Sequence, residues 1–544
     1  MSADPLFLGL DLSTQQLKAI VISEDSAVVH EVSVGFDRDL PRYGTMNGAL
    51  KGPDEGEVTS PVGMWLEALD LLMQRMKDAG VDFNSIMGIS GAGQHGSVYW
   101  SAEANSALSS LDPSKPLHVQ LAPKAFSLPN APIWQDSSTM RECRELENAV
   151  GGAQVLADLT GSRAYERFTG AQIRRIRRLR AEAYAATSRV SLVSSFLPSL
   201  FLGTIAPIEV SDASGMNLMN VLTCKWDDHL LEICGGPELR EKIGPEPVPG
   251  GTVLGKIHKW WTERWGFNPE CIVAPFTGDN PATMVALSTP GDAVLSLGTS
   301  TTFLLAIPPA DAPPARFTTS HLLSHPTTLD AQIAMLCYKN GALAREQVRD
   351  RYANADWARF NELVETTPPG NGGNWGLYFP LPEIIPPGVK GNFFFSSSPS
   401  IAPVDALPPT AHPRAILESQ FLSIRSRIAA ILPSSSPPLR RLILTGGSSA
   451  NPAIRQLAAD LFGMATYVAE GSKEAAGMGG AVLAKFAWWR AHNGGVGTFE
   501  EMRAGDVERL RQVAVSKREF TAVYDSLVER YRACEAVVVK ACAA

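Results

Sequence analysis

The sequence has few cysteines, and those it has follow no pattern. Seven cysteines are scattered over 544 residues. None forms a Cys-x-x-Cys pair or another spacing typical of metal ligands. A zinc site or a disulfide framework is therefore not expected. Free thiols in a reducing compartment are the simpler interpretation.

Long apolar runs and a secretory leader are also lacking. No apolar stretch approaches the roughly 20 residues that are needed to cross a bilayer. The N-terminal segment MSADPLFLGLDL has no basic region before its apolar residues, unlike a secretory signal. We therefore expect a cytoplasmic protein that is not inserted in a membrane.

Positive charge is not in excess either. The formal net charge is -8 at pH 7, with 19% charged and 45% hydrophobic residues, which argues against a nucleic-acid partner. One basic run, IRRIRRLR at 173–180, has an apolar residue at every third position. This pattern predicts an amphipathic helix with a solvated basic face.

The chain length predicts two or more domains.

Two hairpins with small polar turns are predicted, one in each half of the chain. Apolar runs at 6–12 and 17–22 flank Ser-Thr-Gln-Gln, and runs at 293–297 and 302–307 flank Gly-Thr-Ser-Thr. Short polar turns between alternating runs are typical of β-hairpins. Helical and buried-strand patterns lie between the hairpins, which indicates an α/β fold. The repetition predicts a duplicated domain with a cleft between the copies.

The two turns carry groups that bind phosphate. Tight turns present backbone N–H groups and hydroxyls to phosphate oxygens. Asp11 ends the strand before the first turn, where a carboxylate can hold Mg²⁺ directly or through water, and Lys18 adds a positive charge. In the second turn, Gly298 permits close approach, and Thr299 and Ser300 are hydroxyl donors. Either turn alone is equally consistent with an ordinary polar hairpin.

Three further segments are candidates for chemistry. Asp279 and Asn280 follow an apolar strand at the predicted domain junction, as a general base and an orienting amide would, although an Asx-turn has the same pattern. His95 follows another strand; a lone His is more often structural. Gly446-Gly447 separates a strand from a helix, which permits close approach of a ligand. It is not the GxGxxG dinucleotide fingerprint.

Seven segments together resemble one family. They are FLGLDLSTQQLKAIVI, ISGAGQHGSVYW, IWQDSS, LTGSRAYERFTG, FTGDNPATMVALSTPGDAVLSLGTSTTFLL, LILTGGSSANP and GMGGAVLAKFAW. In this order the segments are similar to the FGGY carbohydrate kinases. The similarity extends from about residue 6 to residue 490 and is greatest to the eukaryotic branch that acts on D-xylulose.

The resemblance implies a fold and an activity. The fold is α/β, with two ribonuclease-H-like domains of the actin and hexokinase ATPase type facing across a central cleft. Residues 1–273 would form the sugar-binding domain, and residues 274–544 the ATP-binding domain, with a helical C-terminal tail from about residue 499. The activity is ATP- and Mg²⁺-dependent phosphorylation of D-xylulose to D-xylulose 5-phosphate, a step of xylose catabolism that feeds the pentose phosphate pathway.

The resemblance also implies roles for individual residues. Asp279 is the catalytic base, Asp11 is the Mg²⁺ ligand through water, and the sugar contacts are His95, Arg167, Asp279 and Asn280. The ATP contacts are Thr14, Lys18, Gly298, Thr299, Ser300, Trp357, Gly446, Gly447 and Asn451. Two positions depart from a simple match: Ser13 stands where the family commonly has Gly, and Arg163 competes with Arg167 for the sugar.

Alternatives within and outside the class remain open. Another ketose or polyol, such as ribulose or glycerol, is an alternative substrate, since discrimination rests on a few polar contacts. A conformational ATPase of the actin or chaperone type is a second alternative. The Asp279-Asn280 pair and His95 argue against it, because a pure switch needs no sugar contacts. A sugar sensor without catalysis is disfavoured by the presence of both Asp11 and Asp279. The sequence does not distinguish a monomer from a homodimer.

Overall fold

The chain folds into two compact units in a computed structural model that describes residues 4–328, 330–397, 401–469, 475–504, 506 and 510–543. The first unit comprises Met1–Leu287, Leu322–Gln332 and Ser472–Glu508. The second unit comprises Ser288–His321, Ile333–Gly471 and Arg509–Ala544. No described helix has both the length and the apolar character needed to cross a membrane.

Strands and helices alternate along most of the chain. The strands are β1 (Leu6–Leu12), β2 (Gln16–Ile22), β3 (Val28–Gly35), β4 (Leu50–Lys51), β5 (Val58–Pro61), β6 (Ile86–Gly93), β7 (Ser97–Ser101), β8 (Asn130–Pro132), β9 (Thr187–Leu192), β10 (Met219–Asn220), β11 (Lys225–Trp226), β12 (Gly255–Lys256), β13 (Ile272–Val273), β14 (Thr277–Gly278), β15 (Asp292–Leu297), β16 (Thr301–Ala306), β17 (His321–Ser324), β18 (Gln332–Tyr338), β19 (Trp375–Phe379), β20 (Gly391–Phe395), β21 (Pro403–Val404), β22 (Arg441–Thr445), β23 (Ala465–Ala469) and β24 (Leu510–Ala514).

The helices fall between these strands and after the last of them. They are α1 (Phe36–Asp39), α2 (Val62–Asp78), α3 (Ala104–Ser109), α4 (Leu117–Leu121), α5 (Met140–Val150), α6 (Ala153–Thr160), α7 (Thr169–Leu179), α8 (Ala181–Ala185), α9 (Val193–Leu202), α10 (Val210–Ala213), α11 (Asp228–Gly235), α12 (Leu239–Ile243), α13 (Lys259–Trp265), α14 (Asp279–Leu287), α15 (Ala342–Tyr352), α16 (Trp357–Thr366), α17 (His412–Ile431), α18 (Pro452–Phe462), α19 (Ala475–His492), α20 (Phe499–Arg503) and α21 (Arg518–Ala543).

Each unit is built around one sheet, and the two sheets have the same topology. Six of the seven strands in each sheet follow the matching orders β12-β13-β6-β1-β2-β3 in the first unit and β24-β23-β22-β15-β16-β18 in the second. In both, the two hairpin strands are antiparallel, and the first of them pairs in parallel with the strand on its other side. The predicted pair of hairpins and the α/β class are thereby confirmed. A matching topology is what a duplicated domain produces.

The apolar pattern of the strands explains why both sheets are buried. In β1 and β2, the residues from Phe7 to Leu12 and from Leu17 to Ile22 are all buried. Central strands covered on both faces carry such continuous apolar runs. The core of the first unit also contains four fully buried tryptophans, Trp65, Trp100, Trp260 and Trp261. The hairpin turns are thus held at the ends of rigid strands.

The basic run forms a helix as predicted, but its basic face is not simply solvated. Residues 169–179 are helical (α7), and Arg175 is buried, where it forms an ion pair with Glu57 at 3.4 Å. Neighbouring arginines of the run pair with the acidic residues Glu145, Glu142 and Glu57. Long-range carboxylates therefore neutralise the run, which the local pattern does not show.

The C-terminal segment is helical only in part. Phe499–Arg503 and Arg518–Ala543 are helices, as predicted, whereas Leu510–Ala514 is a strand that pairs with β23. Strand pairing with a sheet edge overrides the charged pattern of this short segment. The last helix is part of the second unit's core, because Tyr524 and Tyr531 are buried.

Helix α19 packs against the first sheet backbone to backbone. A Cβ on Gly480 would lie 2.4 Å from the Gly91 Cα, and a Cβ on Gly9 would lie 2.2 Å from the Gly477 carbonyl oxygen. Only glycine allows this approach at both sides of the contact. The predicted domain boundary after residue 273 places α19 in the second domain. In the structure, α19 packs against β1 and β6 of the first unit.

Replacing Gly480 with Ala is expected to destabilise the first unit. Alanine is more favourable than glycine inside a helix. Its methyl group, however, would overlap the Gly91 backbone and force the helix away from the sheet. Overpacking of this kind typically costs about 1–3 kcal/mol. Thermal unfolding measures the change. Gly35→Ala is the matched control, since the nearest atom to a Cβ there is 3.6 Å away, on the Arg38 side chain. Equal melting temperatures for the two variants would contradict the packing argument.

Candidate active site

Asp279 stands at the start of α14, directly after β14, which pairs with the end of β6. Both the backbone N–H and the side-chain amide of Asn280 donate to the Asp279 Oδ1, at 2.7 and 2.9 Å. No described residue donates to the Asp279 Oδ2. The side chain reaches solvent. One carboxylate oxygen is therefore held by the amide neighbour, while the other remains available to a ligand.

The surroundings of Asp279 favour its neutral form more than water does. The pKa of Asp279 is raised, first because the protein packed around this carboxyl excludes solvent from part of it, and further because the negative charge of Asp212 is close. The hydrogen bonds from Asn280 and the nearby His95 act in the opposite direction. A carboxyl whose pKa is raised is a stronger base than an ordinary aspartate, which suits proton abstraction.

His95 belongs to a hydrogen-bonded group beside this carboxyl. The His95 Nδ1 lies 3.3 Å from the Asp212 Oδ1, and its Nε2 lies 3.4 Å from the Thr169 hydroxyl. Ser194 donates to the other Asp212 oxygen at 2.6 Å. A carboxylate on Nδ1 holds the ring in one orientation and one tautomer. No sequence pattern connects Asp212 or Thr169 with His95, since both lie far from it along the chain.

Glu209 joins the His95 group to the strand that carries Asp279. It is fully buried, and its carboxyl accepts hydrogen bonds from the Thr277 hydroxyl at 2.6 Å and from the backbone N–H groups of Ser211 and Asp212 at 2.9 and 3.0 Å. Burial raises the pKa of Glu209 to about 8. Asp212 and Asp279 are therefore positioned by one shared carboxyl.

Arg167 and Arg163 flank the same aromatic ring. Their guanidinium carbons lie 4.9 and 4.7 Å from the centre of the Tyr165 ring. Arg167 also lies 5.3 Å from the centre of the Phe168 ring, which is 5.8 Å from the His95 ring. Of the two arginines, Arg167 is thus linked through Phe168 to the His95 group, which favours it as the sugar contact.

The first hairpin turn lies next to the segment that holds His95. The Gln94 N–H donates to the Leu12 carbonyl at 2.9 Å. Asp11 and Lys18 are directly opposed across the hairpin, and both are buried. The Thr14 hydroxyl accepts a hydrogen bond from the exposed Trp134 indole at 2.8 Å. The predicted residues of this turn are therefore gathered at one end of β1 and β2.

The second hairpin turn presents exposed hydroxyls beside a glycine. Thr299 and Ser300 are exposed, and no described residue bonds to their hydroxyls. The Gly446 backbone has φ 80 and ψ 170, and a Cβ on it would lie 2.9 Å from the Gly298 nitrogen. Gly298 and Gly446, predicted separately from sequence, thus pack against each other and make one open surface of backbone and hydroxyl groups.

The other residues predicted to contact ATP lie in the same unit. The Asn451 side chain accepts a hydrogen bond from the Ile454 N–H, capping α18, and donates to the side-chain amide oxygen of Asn361 at 2.7 Å. Asn361 is one turn along α16 from Trp357, whose ring lies 4.8 Å below the Arg349 guanidinium carbon. Asn451 therefore lies next to the helix that carries Trp357. Arg349 covers one face of the Trp357 ring.

The residues around Asp11 suit a magnesium ion that is bound together with phosphates. Among the described residues, no three His, Cys, Asp or Glu side chains cluster as ligands for a metal ion. Mg²⁺ is commonly held by one or two carboxylates together with water and substrate phosphates. The single buried carboxylate of Asp11, at the end of a strand, agrees with that mode of binding.

Asp212→Asn is expected to lower kcat/KM for the sugar by about 10–100-fold, because hydrogen bonds to charged groups contribute roughly 1.5–3 kcal/mol. It should also move the acid limb of the pH profile to lower pH, since the negative charge that raises the pKa of Asp279 is removed. The measurement is kcat/KM against pH for both proteins. An acid limb that stays in place would show that Asp212 does not influence the base.

Comparison with family models identifies the class of protein as a carbohydrate kinase of the FGGY type. Residues 123–286 match the N-terminal domain of the FGGY family of carbohydrate kinases, and residues 293–488 match its C-terminal domain. The chain belongs to this family, as the sequence resemblance predicted.

Similar proteins cover nearly the whole chain. The probable D-xylulose kinase A of Aspergillus terreus is 43% identical over 528 residues, which is 92% of this chain and 91% of that protein. The xylulose kinase of Mus musculus is 42% identical over 535 residues, covering 97% of this chain and 93% of that protein.

Solved structures confirm the two-domain α/β fold. The xylulose kinase from Rhodospirillum rubrum has a TM-score of 0.79 at 18% identity, covering 99% of this chain and 100% of that one. The Plasmodium falciparum glycerol kinase with ADP has a TM-score of 0.72 at 16% identity, covering 97% and 98%. At such identities the likeness concerns the fold alone.

Proposed function

We propose that this protein is an ATP-dependent xylulokinase, which converts D-xylulose to D-xylulose 5-phosphate in xylose catabolism. The similarity to xylulose kinases over more than nine-tenths of this chain favours this substrate. The observation that carries the chemistry is Asp279, an accessible carboxylate with one oxygen held by Asn280 and a raised pKa. A carbohydrate kinase needs such a base near its sugar.

In the proposed reaction, the Asp279 Oδ2 accepts the proton of the C5 hydroxyl as that oxygen attacks the γ-phosphorus of ATP and ADP leaves. His95, fixed by Asp212, and Arg167 bind hydroxyls of the sugar, and Asn280 keeps the base in orientation. Phosphoryl transfer depends mainly on positioning and on stabilisation of charge. General-base assistance typically contributes about 10²–10⁴-fold.

The nucleotide is proposed to bind through the second unit. The Thr299 and Ser300 hydroxyls and the open backbone at Gly298, Gly446 and Gly447 suit phosphate oxygens. Asn451 and Trp357 would bind the adenosine. In the first unit, Thr14 and Lys18 would contact the phosphates. Asp11 would hold Mg²⁺ through water, and the ion would neutralise phosphate charge.

The test is ADP release with Mg²⁺ and ATP in the presence of D-xylulose, D-ribulose, L-ribulose, glycerol or no sugar. We expect the fastest release with D-xylulose. Faster release with ribulose or glycerol would reassign the substrate within the family. Equal release with and without every sugar would overturn the kinase proposal and favour a conformational ATPase.

A further inference from the structure

Arg345 lies beneath the second hairpin turn. Its helix, α15, begins directly after Gly341, where a Cβ would lie 2.7 Å from the Ser300 carbonyl carbon. The Ala342 N–H donates to the Gly298 carbonyl at 3.1 Å. Arg345 is one turn further along this helix and is fully buried. The start of α15 is therefore packed directly under the turn that carries the exposed hydroxyls.

The guanidinium of Arg345 connects the two loops of the proposed nucleotide site. Its Nη2 donates to the Ser448 hydroxyl at 3.2 Å, just after Gly446-Gly447, and its Nη1 lies 3.5 Å from the Thr301 hydroxyl, at the end of the turn. Nη1 also donates to the side-chain amide oxygen (Oε1) of Gln420 at 2.8 Å. The Nε is buried and has no hydrogen-bond partner.

These contacts include no counter-ion for Arg345, and the neighbouring Glu346 acts on its charge only from beyond ion-pair distance. All three partners are neutral, and no described carboxylate forms an ion pair with it. Two other arginines of the second unit are paired: the buried Arg414 with Glu418 at 2.7 Å, and the partly buried Arg427 with Glu535 at 2.7 Å. Burial lowers the pKa of Arg345 to about 10, so the guanidinium is still protonated at neutral pH.

An uncompensated buried charge is costly. Its retention at this place needs a compensating role. The exposed Thr299 and Ser300 hydroxyls and the glycine backbone at 446 share one surface of the second unit, and the buried Arg345 guanidinium lies behind that surface. Phosphate is the ligand chemistry that uses hydroxyl donors, open backbone and positive charge together.

We propose that Arg345 is a positioning residue whose charge is balanced by the phosphates of the bound nucleotide. By bonding to Thr301 and Ser448, it holds the turn at 298–300 and the loop at 446–448 in one arrangement. It also places a positive charge behind both loops. The inference rests on the proposed function, because it requires the nucleotide to bind at these loops.

The experiment measures the binding of ADP and of adenosine by calorimetry, for the full chain and for Arg345→Met and Arg345→Lys. The melting temperature of each protein is also measured without ligand. Methionine retains the length of the side chain without its charge. We expect Arg345→Met to weaken ADP binding by about tenfold or more, as the loss of a nearby buried charge implies. Adenosine binding should change by less than about twofold, since adenosine carries no phosphate. Arg345→Lys should restore part of the ADP affinity.

A structural role makes a different prediction. If Arg345 mainly holds the fold, Arg345→Met should lower the melting temperature and weaken ADP and adenosine binding equally, which would overturn the inference. Under our proposal, the unliganded variant melts close to the parent, because removal of a buried unpaired charge offsets the loss of the Arg345 hydrogen bonds. Unchanged ADP affinity in Arg345→Met would also overturn it. Failure of the parent protein to bind ADP would instead refute the nucleotide site itself.

Discussion

Asp279→Asn is expected to reduce kcat by about 10²–10⁴-fold, the usual contribution of a general base, while the KM for D-xylulose changes little. Asparagine keeps the size of the side chain and an oxygen for the Asn280 donors, which now bind the Asp279 Oδ1 at 2.7 and 2.9 Å. It cannot accept the proton from the sugar hydroxyl. The measurement is steady-state ADP release with saturating ATP.

The pH dependence follows from the raised pKa of Asp279. The base acts only when ionised, so activity should fall as the pH is lowered through a pKa above that of an ordinary aspartate. The same shift makes the ionised carboxylate destabilising in the folded state at neutral pH, an effect that disappears as the pH falls through the raised pKa and the group becomes protonated. Asp279→Asn should therefore be inactive and yet melt no lower than the parent at pH 8.

The control is Asp228→Asn, the same chemical change at a side chain that is 85% exposed and 3.5 Å from Arg240. Its kcat and melting temperature should match those of the parent. If Asp279→Asn retained kcat within a few-fold of this control, another group would have to be the base. Loss of activity accompanied by a lower melting temperature would show a structural role for the carboxyl instead.

The sheets and their turns could be predicted because their signals are local. A continuous apolar run, a short polar turn and a second run determine a hairpin, and β1 with β2 and β15 with β16 follow that pattern. The glycine turns at 298 and 446 were also recognisable, since each follows a strand. Their contact with each other depends on the parallel pairing of β15 with β22, and the pattern of a single strand does not specify its partner.

The residues that support the candidate site were missed for the same reason. Asp212 and Glu209 are separated from His95 and Thr277 by long stretches of chain, and each looks like an ordinary acidic residue near a short helix. Arg345 had a usable signal: it occupies a position on the apolar face of α15, three residues before the buried Val348. A charged residue on an apolar face is a reason to look for a ligand or a partner.

Gly446→Ala should have the largest effect on the nucleotide side. With φ 80 and ψ 170, Gly446 occupies a backbone region that is essentially restricted to glycine. Forcing alanine into such a region costs about 1–3 kcal/mol. The added Cβ would also lie 2.8 Å from the Leu297 carbonyl carbon. Relief of this overlap must separate the 446–448 loop from the 298–300 turn. We expect kcat/KM for ATP to fall by about 10–100-fold, roughly the factor that this strain implies.

Gly447→Ala is the matched control for stability. No atom lies within 4 Å of a Cβ built on Gly447, and its φ is outside the positive range, so this variant should melt like the parent while Gly446→Ala melts lower. Binding of D-xylulose without nucleotide, measured by calorimetry, should be the same in Gly446→Ala and the parent, because the proposed sugar contacts belong to the first unit. An unchanged KM for ATP in Gly446→Ala would mean that the nucleotide does not depend on this pair of loops. Weaker sugar binding would instead mean that the strain spreads beyond the second unit.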